Sequence, residues 1–159
     1  MPNQFDPNIP SLIGGEVSTV VVTDPAGDFP PFEVGNHVLN RNEAFRLTVE
    51  WKVTGALRPL WLAALGGNWN VQVFAESIGG GPEKLLASDN TVSADPAVSD
   101  YSVTFTVPGN SLAEGNPGSD VSGIYKLVVA VFLNSNLGAP GFDMTGFHEG
   151  PIIQVESPL

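Results

Sequence analysis

The sequence predicts an all-β fold, an antiparallel β-sandwich of six to eight strands. Three observations carry this reading. First, Phe45, Leu47, Val49, Trp51 and Val53 alternate with Arg46, Thr48, Glu50 and Lys52. Strict period-two alternation puts one face of a strand in a core and the other in water. Second, short apolar runs are separated by turn chemistry: 18 glycines and 14 prolines make up a fifth of the 159 residues, as expected of many strands joined by turns. Third, only the stretch near residues 59–65 has a helix signature, with Pro59 near its start and Gly66–Gly67 just past its end.

Taken in order, residues 1–15, MPNQFDPNIPSLIGG, hold three prolines and end in two glycines. Proline fixes φ and removes a backbone donor, so this reads as an extended N-terminal arm. The arm is expected to be pinned by its own domain or by a neighbouring copy. Residues 16–159 read as one sandwich domain, with a first strand at 16–24 followed by the turn-rich TDPAGDFPP. The alternating strand covers 43–54, and the short helix leads to a strand at 69–77. Residues 84–88 suggest a short edge strand and 89–100 a polar loop. The next strand, 101–107, stops at Pro108. In the strand at 123–133, Tyr125, Leu127, Val129, Val131 and Leu133 share one face, while Ile124, Val128, Ala130 and Phe132 make the other face apolar too. Such a strand is expected at the centre of a sheet, covered on both sides. The stretch GFDMTGFHEG, 141–150, reads as a loop into a last edge strand that carries Pro151 near its start.

Composition narrows the function. The net charge is −11, from 17 acidic and six basic residues, which disfavours nucleic acid and anionic membrane surfaces. The longest apolar runs, such as 127–133, are too short to span a bilayer. With no cysteine there are no disulfides, thiolate nucleophiles or cysteine zinc sites. No basic region followed by an apolar one marks a signal peptide. If Met1 is the native start, the expectation is cytoplasmic synthesis or a component of an assembly such as a virion.

SDVSGIYKLVV, residues 119–129, resembles the approach to strand F of immunoglobulin-like domains, through Asp120, Gly123, Tyr125 and Leu127. Asp120 lies one residue further from the tyrosine than in antibody domains, and the two cysteines of those domains are replaced by Leu127 and by Leu47 or Val49. Trp69 could take the place of the strand-C tryptophan. The resemblance implies an immunoglobulin-like sandwich in which Tyr125 is a structural corner residue whose hydroxyl bonds nearby backbone. It implies no particular function.

Catalytic and metal chemistry is sparse. His148 and Glu149 are chain neighbours, so on a strand their side chains point to opposite faces and do not share a metal. His37 is the other histidine, and nothing in the sequence brings it to His148. Phe142, Met144 and Phe147 are expected to pack the loop around them. There is no GxSxG motif, and GGGPEK lacks phosphate-loop spacing. No metal site or cofactor is assigned. Calcium is the metal weighed, on Asp24, Asp28 and Glu33 in one loop and Asp89, Asp95 and Asp100 in another, although Asp is also common in turns for backbone hydrogen bonding alone.

Recognition is expected on LRPLWLAALGGNW, with Leu60, Trp61 and Leu62 as interface or ligand candidates, unless this helix caps the sandwich end. The expected role is a non-enzymatic structural or interaction module. It would self-assemble in a surface or virion-type assembly, using its arm and sheet edges against a protein partner or a second copy. The alternative is a carbohydrate- or small-ligand-binding sandwich, possible with calcium stabilisation. Trp51 and Trp69 alternate inward, which leaves Trp61 as the tryptophan for a sugar platform.

Overall fold

The computed structural model describes residues 4–23, 37–136 and 143–157. These residues form an all-β sandwich with eight strands and one helix. These are β1 (Gly14–Thr23), β2 (Val38–Asn40), β3 (Phe45–Thr54), α1 (Arg58–Leu65), β4 (Asn68–Ser77), β5 (Lys84–Ser93), β6 (Asp100–Val107), β7 (Ile124–Leu133) and β8 (Met144–Glu156). One sheet runs β1-β3-β6 and the other β2-β8-β7-β4-β5. All neighbours are antiparallel except the short β2, which lies parallel to the end of β8. β1 sits over β8, and β6 over β5.

The alternating residues of β3 meet the matching face of β7 and β4 in the core. Leu47, Val49, Trp51, Val53, Val71, Val73, Tyr125, Leu127, Val129 and Val131 are all buried. Each such side chain contributes roughly 1.5–3 kcal/mol over an exposed one. An aromatic cluster fills one end. The rings of Trp51 and Tyr101 stack with centroids 5.6 Å apart, and Trp69 lies 6.0 Å from Trp51 and 5.7 Å from Phe5.

The N-terminal arm belongs to its own domain. Residues 4–13 fold back on the start of β1, with Phe5 N–H donating to the Gly15 carbonyl at 2.9 Å and Ile9 N–H to Ile13 at 2.8 Å. Asp6 then pairs with Thr145 of β8 through both of its backbone groups, at 2.8 and 2.9 Å. The arm therefore joins the edge of one sheet to the other sheet. It reaches α1 as well, because Ser11 and Leu12 carbonyls accept from Ala56 and Leu57 N–H. Phe5 is buried over Gly146, where a Cβ would lie 2.0 Å from its ring. No other residue fits under Phe5 there.

Three expectations change. β5 is not a short strand followed by a loop but runs to Ser93, because backbone pairing with β4 sustains it without apolar alternation, through two irregularities in register. The stretch 144–150 is not a loop but the first half of β8. Met144 and Gly146 face the core, and Thr145 and Phe147 face away. β7 is the centre of its sheet as expected, but no described element covers its second face: Ile124, Val128, Ala130 and Phe132 remain half-buried.

Candidate interaction surfaces

The helix α1 closes the end of the sandwich that holds the aromatic cluster. Leu62 and Leu65 are fully buried, one helical turn apart on the same face. Gly66 caps the helix, its N–H donating to Leu62. Of the three recognition candidates, Leu60 is 70% exposed, Trp61 is half-buried against the core, and Leu62 is 0% exposed. The structure thus corrects the placement of Leu62, which is a core residue and is not presented to a partner. Trp51 and Trp69 lie inward at 1% and 0% exposure, so neither offers a ring face to a sugar.

His148 pairs with Val129 on the inward side of β8, while Glu149 pairs with Val128 on the outward side. The His148 ring Nδ1 lies 3.2 Å from the Gly150 carbonyl, and Glu149 lies 3.9 Å from the Lys126 ammonium. Asp143 accepts from the Ser135 N–H at 2.8 Å. His148, Glu149 and Asp143 are therefore held by three different partners. Met144 packs in the core, Phe147 is exposed on the outer face, and Phe142 lies outside the described residues. His37 sits beside β8, its Nδ1 3.0 Å from the Ile152 carbonyl.

Among the described residues, no three His, Asp or Glu side chains come together in a metal-binding group. Asp89 accepts from the Thr91 backbone N–H at 2.8 Å, and Asp95 from that of Ala97 at 2.8 Å. Both bonds are the two-residues-on contact of an Asx turn. Asp100 takes the Ser99 hydroxyl. Asp24, Asp28 and Glu33 lie outside the described residues.

Tyr125 is fully buried, and its hydroxyl donates to the Ala113 carbonyl at 2.8 Å. Tyr101 does the same toward Asp95 and Val98, each at 3.0 Å. Burial raises the pKa of both phenols. Glu114 ties the loop after β6 to the chain end. It accepts from Ser157 N–H at 2.9 Å and pairs with Arg41 at 3.1 Å. The Ser157 hydrogen bonds, followed by Arg41, hold its carboxyl below the ordinary glutamate range. Clefts of about 460 and 530 Å³ beside this loop share Glu114, Gly115, Asn116 and Pro117.

Two surfaces stand out. The first is the side of the sandwich between β5 and β6. The opposite side is closed by the arm. Here Leu86, Val92, Val98, Val103 and Phe105 pack against the core but stay partly exposed. Among the described residues β6 is an edge strand, paired with β3 over eight residues with no register shift. From Tyr101 to Val107 it carries no charge and no proline.

The second surface is the outer face of the five-stranded sheet. Register sets its rows. Thr145, Phe132 and Asn70 form one row, Phe147, Ala130, Gln72 and Ser88 the next, and Glu149, Val128, Phe74 and Leu85 the third. Phe147 is 38% and Leu85 45% exposed. Lys126 closes one end, 3.2 Å from Glu76, and this bond followed by Glu149 raises its pKa. A cleft of about 230 Å³ at the other end is lined by Asn70, Gln72, Ser88, Asp89 and Asn90. Sequence reading missed this face. Its signal was present as apolar residues and amides at the outward parity of β4 and β7.

No protein-family model and no curated protein sequence matches the chain. Solved structures similar to it include a β-glucosidase from Erythrobacter marinus and a β-glucosidase from Listeria innocua in complex with glucose. They are 10% and 15% identical, cover 91% and 94% of this chain, and both have a TM-score of 0.47. The chain spans 16% and 17% of the length of those two proteins.

Proposed function

We propose that this chain is a non-enzymatic interaction module of immunoglobulin-like architecture that self-associates by strand addition along β6. The strand order supports the architectural part. β1-β3-β6 facing β8-β7-β4-β5 follows the A-B-E and G-F-C-C′ neighbour relations of immunoglobulin sandwiches. On that mapping Tyr125 lies on strand F.

One observation carries the self-association. Val103 and Phe105 point to the core side of β6 yet stay half-exposed, and among the described residues no strand lies beyond them. The residues at either end of the strand, Tyr101 and Val107, are buried. An added strand completes the cover of Val103 and Phe105 and pairs the outward backbone groups of the edge.

The occupant that fits is a second copy. A two-fold axis midway between Thr104 and Thr104 of the copy, perpendicular to the sheet, pairs Val103 with Phe105 and Tyr101 with Val107 of the copy. Paired residues then share a face. The uncharged stretch brings no like charges opposite each other, although the whole chain carries −11. The arm is engaged within its own domain, so the edge and not the arm carries this reading.

Light scattering over a concentration series tests it. The wild type is expected to exceed its 16.7 kDa monomer mass, more so at higher salt, where repulsion between acidic copies is screened. Thr104 is exposed, so Thr104→Lys leaves the core intact while placing two ammonium groups opposite each other at the axis. It should give a folded monomer. A wild type that stays monomeric, or a Thr104→Lys variant that associates like wild type, overturns the proposal.

A further inference from the structure

We infer that the outer face of the five-stranded sheet binds a neutral, hydroxyl-rich ligand, the chemistry of a carbohydrate chain. This site is separate from the β6 edge and does not depend on self-association. Asn70 and Gln72 project from β4 on the outward face, half-buried, and neither amide bonds another described residue. Asn90 and Ser88 of β5 line the same cleft, which is almost wholly polar. Each amide offers two donors and an acceptor at fixed positions. Successive outward residues on a strand stand about 7 Å apart and neighbouring strands about 4.8 Å, so the amides form an ordered array. It matches a ligand with repeating hydroxyls, which both donate and accept.

Aromatic rings flank the amides. Phe132 stands opposite Asn70, Phe74 follows Gln72 along β4, and Phe147 lies beyond Ala130 in the Gln72 row. Sugar rings present apolar C–H faces with hydroxyls at their rims, so rings beside free amides answer both parts of that surface.

Charge excludes the main competitors. Among the described residues the cation on the face is Lys126, and it is paired with Glu76 and Glu149, which leaves no unpaired cation for an anionic ligand. Among the described residues the cleft holds a single carboxylate, Asp89, already engaged by the Thr91 N–H and hydroxyl, and one carboxylate is too few for a cation site. The larger clefts near Glu114 carry less, because their acid is committed to Arg41 and Ser157.

Native affinity electrophoresis of the full chain tests this. The gels contain barley β-glucan, xyloglucan, xylan, galactomannan or dextran, with a polymer-free gel and serum albumin as references. At least one neutral polymer should retard the wild type, and added salt should not relieve it. Asn70→Ala with Gln72→Ala should lower the affinity for that polymer roughly tenfold, with an unchanged thermal midpoint. Gln72→Ala alone serves if the double variant is unstable. Thr104→Lys should keep full retardation, which separates this site from the edge. No retardation by any of the polymers overturns the inference. So does retardation that survives loss of the amides in a folded variant.

Discussion

At the residue scale, Glu114 is the titrating group with the clearest structural role. Its folded pKa lies below the ordinary glutamate range because the ionised form accepts from Ser157 and pairs with Arg41. The stability it contributes is therefore fully present above the unfolded value and is lost as pH falls through the lowered folded value. Glu114→Gln should depress the thermal midpoint at neutral pH. The gap to wild type should close as pH falls below the ordinary carboxylate range. A gap that stays constant with pH would show that the contact acts through packing or neutral hydrogen bonds alone. Single residues were unevenly legible in the sequence. The inward parity of Trp51, Trp69 and Leu127 follows from alternation. The acceptor of the Tyr125 hydroxyl, Ala113, lies 12 residues upstream, and loop closure of that kind leaves no periodic trace.

At the element scale, α1 separates two leucines that the sequence treats alike. Leu60 is 70% exposed and Leu62 is 0% exposed. Leu60→Asp should change stability by less than about 0.5 kcal/mol. Leu62→Asp buries a carboxylate without a partner and should cost about 4 kcal/mol or more. Urea denaturation of the two variants checks both figures, and equal midpoints would show that the helix does not cap the core. The same ambiguity explains what the sequence obscured elsewhere. Period two gave β3, β6 and β7 because one face of each meets the core. β5 lacks that pattern, since SDNT sits at an edge where the backbone ladder, not side-chain burial, maintains the strand. The first half of β8 read as a loop because Gly146 resembles a turn glycine. Its reason is tertiary: Phe5, 141 residues away in sequence, occupies the space of its side chain. The outer face of β7 suggested a covering layer, but its apolar residues stay half-buried with no described element over them.

At the scale of the whole molecule, the two sides of the sandwich are finished differently. The arm closes the β1–β8 side by seating Phe5 between the sheets and pairing Asp6 with Thr145, while on the β5–β6 side no described residue pairs with either edge. Deleting residues 1–8 should therefore act on stability first. It removes the buried Phe5 ring, whose truncation to alanine alone typically costs about 3–5 kcal/mol, and uncovers the seam beside Gly146. Calorimetry should show a large drop in thermal midpoint, and Phe5→Ala should reproduce most of it. Light scattering on the same truncated chain, at a temperature where it remains folded, should give the same association as the full chain, because the β6 edge is untouched. A truncated chain with an unchanged midpoint but reduced mass would reverse the assignment. The arm would then serve neighbouring copies, and the closure of the β1–β8 side would not need it.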